Sequence, residues 1–135
     1  MGQRSAAVVP HPNVSAELST SQTVSCASGG EPLISCLWAR SLNGQRKVIV
    51  VDNEVVGGGG RTNVDGTFYV AGDGLSMGNC SLQIESFTKD DAGSWSCTLI
   101  SQNGKIYTGQ VLVTAKGECP LTEFTIIAVN LLLLC

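Results

Sequence analysis

The sequence predicts an all-β domain, because short alternating segments and hairpin-turn dipeptides recur along most of the chain. In segment 80–84, apolar residues occupy every second position, which places them on one face of a strand. Asn43-Gly44 and Asn103-Gly104 favour two-residue hairpin turns, since both positions of a type I′ turn need a positive φ. Many short strands at this spacing are typical of a sandwich or a barrel, and no segment before residue 120 has a convincing helical period.

Length and charge restrict the classes of protein that fit. A chain of 135 residues has room for one domain with short extensions, and 43% hydrophobic residues are enough for a packed core. Net charge is −3, and charged residues make up only 14% of the chain. Without a basic surplus there is little to neutralise phosphates, so nucleic acid is not an expected partner.

Six widely spaced cysteines are the sharpest compositional signal. They are Cys26, Cys36, Cys80, Cys97, Cys119 and Cys135. Their spacing lacks the close pairs of zinc sites. In a small domain such spacing favours disulfides and an oxidising compartment over buried free thiols in a cytosolic protein.

The segment Asp91–Cys97 (DAGSWSC) resembles the D-x-G-x-Y-x-C signature of immunoglobulin domains. Cys26 lies 71 residues before Cys97, and Trp38 lies twelve residues after Cys26, which is the spacing typical of that family. Trp95 stands where the family usually has tyrosine, although its indole N–H can still donate one hydrogen bond.

This resemblance implies a two-sheet antiparallel sandwich over residues 13–115, after an N-terminal extension over residues 1–12. The long Cys26–Cys97 interval, with an extra strand at Lys47–Val51, is similar to the variable type. The resemblance also implies a Cys26–Cys97 bridge with Trp38 buried against it, and a role for Asp91 at the turn before the second cysteine, paired with Arg61.

A second cysteine pair is expected inside the sandwich. Cys36 shares a strand face with Trp38, and Cys80 shares one with Leu82 and Ile84, so both should point between the sheets and form a second bridge. Residues 74–84, running into 91–97, resemble the ectodomains of invertebrate fasciclin-three-like adhesion proteins. That resemblance implies cell-surface recognition, homophilic or heterophilic.

Nothing in the sequence points to catalysis, a cofactor or a metal. The one histidine, His11, lies between two prolines near the N-terminus, where a solvated linker residue is expected. The glycine run 57–60 lacks the Lys-Ser/Thr that follows a phosphate-binding loop. The expected function is therefore binding, with no enzymatic activity.

Strand phase predicts the binding surface. If Trp38 and Cys97 point inward, alternate residues on the same strands point outward. The predicted partner-binding residues are Leu37, Ala39, Thr98, Ile100 and Ile106, with either Val48 and Val50 or Ile49 and Val51 beside them. We take Val48 and Val50. Clustered apolar residues on a solvent face favour an interface over scattered surface aliphatics.

Sugar sites and the chain ends add expectations about location. Asn13 and Asn79 each begin a glycosylation sequon. The first residues lack the apolar run of a secretory signal, so either a signal was removed or the sequence is a fragment. Residues 116–123 resemble a stalk. Residues 124–135 are apolar but span only about 18 Å as a helix, short of a ~30 Å bilayer core.

Three interpretations of that tail remain: a truncated transmembrane helix, a removable lipid-anchor signal, or a hydrophobic tail without a membrane role. We favour membrane attachment, with Cys119 and Cys135 outside intradomain bridges. The expected protein is a plasma-membrane adhesion or recognition domain that binds a protein, possibly itself, through the C–C′–F–G sheet face. The alternatives are a secreted immune recognition protein that binds through its loops, and a spacer module in a longer ectodomain.

Overall fold

In a computed structural model, which describes residues 4–42, 44–52, 61–71 and 74–116, the chain forms strands joined by tight turns. Two short 3-10 turns, Leu75–Met77 and Lys89–Asp91, are its helical elements within those ranges. The strands are β1 Arg4–Ala6, β2 Asn13–Ala16, β3 Gln22–Ala27, β4 Leu33–Leu42, β5 Gln45–Asp52, β6 Arg61–Asp65, β7 Phe68–Ala71, β8 Asn79–Ile84, β9 Gly93–Ser101 and β10 Ile106–Ala115.

The strands form two sheets. The large sheet has the order β1-β10-β9-β4-β5, with β2 also pairing β10, and the small sheet has the order β3-β8-β7-β6. Strand neighbours are antiparallel except for β1 and β2, which run parallel to β10. The result is a two-layer, mostly antiparallel sandwich, which resolves the choice between a sandwich and a barrel.

Period-two alternation along the strands directs one set of side chains into the space between the sheets. Trp38 and Trp95 are fully buried there and meet edge to face, with ring centroids 6.3 Å apart. Phe68 of the small sheet packs 5.7 Å from the Trp95 ring. These aromatic rings join the layers at the centre of the core.

Two disulfides link the sheets to each other. Cys26 of β3 is bonded to Cys97 of β9, and Cys36 of β4 is bonded to Cys80 of β8, with Cα–Cα distances of 6.6 and 6.5 Å. Cys26 and Cys80 are opposite each other in the β3–β8 register, so the bridges lie side by side. Trp38 is the register partner of Cys97, which places the tryptophan beside this pair.

Residues 4–8, which the sequence placed within an N-terminal extension over residues 1–12, pair with strands of both sheets. After β1 pairs with β10, Val8 exchanges two backbone hydrogen bonds with Ala27 of β3, at 2.7 and 2.9 Å. The chain then returns to β10 as β2. Gly109 makes this crossing possible, because a Cβ there would lie 2.7 Å from a Val9 methyl carbon.

The turn before β9 is held by Asp91 and Trp95. The Asp91 carboxylate accepts hydrogen bonds from the backbone N–H and hydroxyl of Thr88, at 2.9 and 3.1 Å. The Trp95 indole N–H donates to the Asp91 carbonyl at 2.9 Å. The Trp95 indole thus makes one hydrogen bond within the turn. The side chain of Arg61, the expected partner of Asp91, lies outside the described residues.

The second bridge should contribute strongly to stability. Replacing Cys36 and Cys80 together by alanine removes a cross-link spanning 44 residues, and we expect a loss of about 4 kcal/mol in unfolding free energy. Denaturant unfolding of the oxidised wild type and the double variant measures this loss. A difference below about 1 kcal/mol would contradict a cross-link that restricts the unfolded chain.

Candidate recognition surface

The outward-pointing side chains of β4, β5, β9 and β10 form one continuous surface, called here the outer face. Register places them in rows across the four strands. The outer face comprises Ser35, Leu37, Ala39 and Ser41 of β4, Arg46, Val48, Val50 and Asp52 of β5, Ser94, Ser96, Thr98 and Ile100 of β9, and Ile106, Thr108, Gln110 and Leu112 of β10.

Aliphatic side chains on this face are open to solvent to different extents. Val48 and Val50 are 46% and 52% exposed, whereas Leu37, Ile100 and Ile106 are half-buried. Val50 is the register partner of Leu37, and Ile100 is that of Ile106, so these residues belong to one surface.

The phase of β5, which the sequence left open, is decided by the pairing with β4. Ile49 and Val51 are buried in the core, so Val48 and Val50 are the outward pair.

Ala39 differs from the expectation of an exposed contact residue. It lies on the outer face, yet only 4% of its surface is exposed. Its register neighbours are Val48 and Ser96, and both carry longer side chains than its single methyl group. The Ser96 hydroxyl donates to the Ala39 carbonyl at 3.4 Å. Ala39 therefore lies beneath the neighbouring side chains of the outer face and is too buried to contact a partner.

Charge is confined to two positions of the outer face. Arg46 and Asp52, near opposite ends of β5, are its only charged members. Between β9 and β10 the face has a shallow depression lined by hydroxyl and amide side chains. These are Ser96, Thr98, Thr108 and Gln110. The centre of the face is thus uncharged, with aliphatic groups on one side and neutral hydrogen-bonding groups on the other.

At one end of the sandwich, Glu31 fastens the β3–β4 loop to the β9–β10 hairpin. The Tyr107 hydroxyl donates to one carboxylate oxygen of Glu31, and the Asn103 amide donates to the other at 3.0 Å. The Lys105 ammonium lies 4.0 Å from the carboxylate. The tyrosine hydrogen bond lowers the pKa of Glu31 and raises that of Tyr107.

Sequence reasoning did not identify this cluster. Glu31 and Tyr107 are 76 residues apart, and only the sheet brings them together.

The two sequon asparagines are exposed on opposite sheets. Asn13 pairs with Leu112 at the β2 margin of the outer face. Asn79 begins β8 and points away from the core, because Cys80, Leu82 and Ile84 point inward. A sugar at Asn79 would leave the outer face uncovered, whereas one at Asn13 would border it.

Comparison with known proteins identifies the fold and no family. No protein-family model matches the chain, and no curated protein matches it. Among solved structures, the chain is similar to one chain of a structure that describes the structural basis of T cell specificity and activation by the bacterial superantigen toxic shock syndrome toxin-1. Identity is 18%, the TM-score is 0.60, and the match covers 82% of this chain and 99% of that chain.

In all, 1662 chains of solved structures match, so the similarity describes a widespread β-sandwich and does not select a function.

The two disulfides indicate an oxidising compartment, hence an extracellular or secreted protein. Among the described residues, none of the helical turns is long and apolar enough to cross a membrane. Within the same ranges, no group of three or more His, Cys, Asp or Glu side chains is arranged to hold a metal ion. The predicted tail 124–135, Cys119 and most of the predicted stalk lie outside the described residues.

The Glu31–Tyr107 hydrogen bond should make stability depend on pH. Because the folded-state pKa of Glu31 is lowered, its contribution is present above the unfolded value of 4.5 and is lost as pH falls through the folded value. We expect Tyr107→Phe to lower the thermal unfolding midpoint at neutral pH, and the difference from wild type to shrink below pH 4.5.

Glu31→Gln serves as the paired variant in this measurement. Combining it with Tyr107→Phe should cost less than the sum of the two single changes, since both remove the same bond. A difference between Tyr107→Phe and wild type that stays constant into strong acid would contradict the assignment.

Proposed function

We propose that the chain is an immunoglobulin domain of the variable type that acts at the cell surface by binding a protein through the outer face. In this interpretation β3, β8 and β7 correspond to strands B, E and D, and β10, β9, β4 and β5 correspond to G, F, C and C′. Binding, and not catalysis, is its proposed activity.

Three structural features support the variable-type assignment. A disulfide joins β3 to β9 across the sheets, with Trp38 beside it. The Trp95 indole N–H bonds to a carbonyl four residues upstream, as the hydroxyl of a tyrosine corner does. The chain also crosses from β3 back to β10 at its start, which closes that edge of the large sheet.

The observation that carries the binding proposal is the uncharged, partly apolar centre of the outer face. The solvent side of an antiparallel sheet ordinarily carries polar side chains. Here Val48 and Val50 are about half exposed beside Leu37, and charge is restricted to two positions of β5. Depletion of charge at the centre, with charged residues at the rim, is the composition of protein–protein interfaces.

The loop end supports a second candidate, a secreted recognition protein that binds through its loops. The Glu31 cluster holds the β3–β4 loop against the β9–β10 turn, and a fixed loop loses less entropy when it binds a ligand. Attachment to a membrane is supported by the apolar sequence of residues 124–135, which favours the cell-surface form.

A charge placed on the outer face distinguishes the candidates. Val50→Asp should weaken partner binding by about tenfold or more, because a carboxylate buried in an interface is costly. Folding should be unaffected, since Val50 is already about half exposed. Ile100→Asp should act in the same direction but test folding more severely, because Ile100 is half-buried. Binding of the soluble domain to cells displaying candidate surface proteins, or the same domain, provides the measurement.

The matched control is Thr23→Asp, which adds the same charge to an exposed strand position of the small sheet and should leave binding intact. Gln102→Asp tests the β9–β10 turn. If Gln102→Asp abolishes binding while folded Val50→Asp binds as wild type does, the loop candidate replaces the sheet-face candidate. Circular dichroism and thermal unfolding establish that each variant is folded.

A further inference from the structure

We propose that Asn79 accepts an N-linked oligosaccharide only until the Cys36–Cys80 disulfide closes, so that formation of this bridge competes with glycosylation of the residue beside it. By sequence alone, Asn79 and Asn13 begin equivalent sequons. The structure distinguishes them, because the two residues that follow Asn79 are both bonded to other strands. The proposal does not depend on binding through the outer face.

The Asn79 side chain is exposed, but the rest of its sequon is held inside the folded domain. Cys80 is 3% exposed and is bonded to Cys36 of the other sheet. The Ser81 hydroxyl donates to the Ser25 hydroxyl at 3.1 Å. All three sequon residues also pair with β3 through the backbone. In the oxidised, folded chain the sequon is therefore a fixed part of the small sheet.

Glycosyl transfer needs a sequon that the transferase can bind. The reaction joins the asparagine side-chain nitrogen to a sugar carried by a lipid-linked diphosphate. A carbon–nitrogen bond forms, the bond between sugar and diphosphate breaks, the lipid diphosphate leaves, and the amide loses one proton. The enzyme reads the Ser or Thr hydroxyl two residues after the asparagine, which is why the sequon contains it. Bonding of the Ser81 hydroxyl to Ser25, on a paired strand, withholds that group.

Disulfide formation uses the middle residue of the same sequon. It joins the sulfurs of Cys36 and Cys80, and two protons and two electrons pass to a disulfide oxidant of the compartment. Disulfides form over seconds to hours, and chains grow at about 5–20 residues per second, so closure and sugar transfer overlap in time. Once the bridge is closed, Cys80 is fixed between the sheets and its neighbours are fixed with it.

The order of synthesis exposes the Asn79 sequon to this competition at once. Chains are made from the N-terminus, and the groups that hold the sequon precede it. Cys36 lies 44 residues before Cys80, and Ser25 lies 56 residues before Ser81. Both are therefore already present when the sequon reaches the oxidising compartment.

Asn13 is in the opposite position. Its strand, β2, pairs with β10, which is made last of the described strands. Val14 and Thr114, which are register neighbours across this pair, are 100 residues apart in sequence. The Asn13 sequon cannot take its place in the sheet until nearly the whole domain has been made, so it stays accessible to the transferase for longer.

A sugar attached to Asn79 before closure is compatible with the fold. The asparagine side chain is exposed at the start of β8 and points away from the core. The order of the two reactions therefore decides the product: transfer first gives a glycosylated, bridged domain, and closure first gives a bridged domain without this sugar. We expect wild-type protein to be a mixture of the two at Asn79 and to be largely glycosylated at Asn13.

Removal of the competing thiol tests the proposal in the full chain, directed into the secretory pathway of eukaryotic cells by a cleavable leader. Glycopeptide mass spectrometry measures the occupied fraction at both sequons. Cys36→Ser leaves the sequon unchanged, and Asn79 occupancy should rise about twofold, since removing one of two steps of comparable rate doubles the share of the other. Adding Cys26→Ser removes the other upstream thiol, the register neighbour of Cys80, and should not lower this occupancy. Asn13 occupancy should stay at the wild-type level throughout.

The matched control is Cys97→Ser. It removes the other bridge between the sheets, but Cys97 is made after the sequon, so Asn79 occupancy should equal that of wild type. An equal rise in Cys97→Ser and Cys36→Ser would show that general loss of stability controls the site, and would overturn the proposal. Nearly complete Asn79 occupancy in wild type, or no sugar at Asn79 in any variant, would overturn it as well.

Purified transferase with a lipid-linked oligosaccharide tests the folded chain directly. Sugar-free protein made in bacteria and oxidised should gain no sugar at Asn79, whereas the reduced and unfolded chain should gain it readily. Transfer to Asn79 at the same rate in both forms would contradict closure of the site by the bridge.

Discussion

The packing of Trp38 between the sheets, beside two adjacent disulfides, is the constraint on which the rest of the domain depends. Cys26–Cys97 and Cys36–Cys80 connect β3 and β8 of one sheet to β9 and β4 of the other. Trp38 and Trp95 fill the space between the sheets. Because side chains alternate along a strand, every second residue counted from these tryptophans points inward as well. The opposite phase must face solvent, and this determines which residues form the outer face.

Edge protection also follows from this arrangement. The N-terminal segment passes from β10 to β3 and back, so β10 is covered along much of its length by β1 and β2. That crossing requires a residue without a side chain at position 109, because a Cβ there would lie 2.7 Å from Val9 and 3.2 Å from the Cys97 sulfur. Gly109 therefore lies where the core, the Cys26–Cys97 disulfide and the covered edge of β10 meet. The outer face lies on the sheet whose edge is covered in this way.

The outer face and the loop end suit different kinds of binding. In the proposed function, the outer face is neutral at its centre and charged only on β5, which is the composition of a protein–protein interface. The loop end carries a carboxylate already engaged by Tyr107 and Asn103, so the hydrogen-bonding capacity of Glu31 holds the loops in position. Glu31 therefore holds the loops in one shape before any ligand binds, which reduces the entropy that the loops would lose on binding.

The sequence by itself determined the all-β class and the shared strand faces of Cys36 and Cys80, and its resemblance to immunoglobulin domains implied the Cys26–Cys97 bridge and the burial of Trp38. These depend on alternation within a strand and on a spacing pattern readable along the chain. It could not choose between Val48–Val50 and Ile49–Val51, because all four residues are aliphatic and either phase gives an apolar face. Only the β4–β5 register decides, since it places Val50 opposite Leu37.

Tertiary structure also decided the burial of Ala39, the inclusion of residues 4–9 in the sandwich and the contact of Glu31 with Tyr107. Each depends on neighbours distant in sequence: Val48 and Ser96 flank Ala39, Ala27 and β10 pair with the N-terminal residues, and 76 residues separate Glu31 from Tyr107. Local patterns cannot encode such contacts, because they form only when two sheets are assembled in one register.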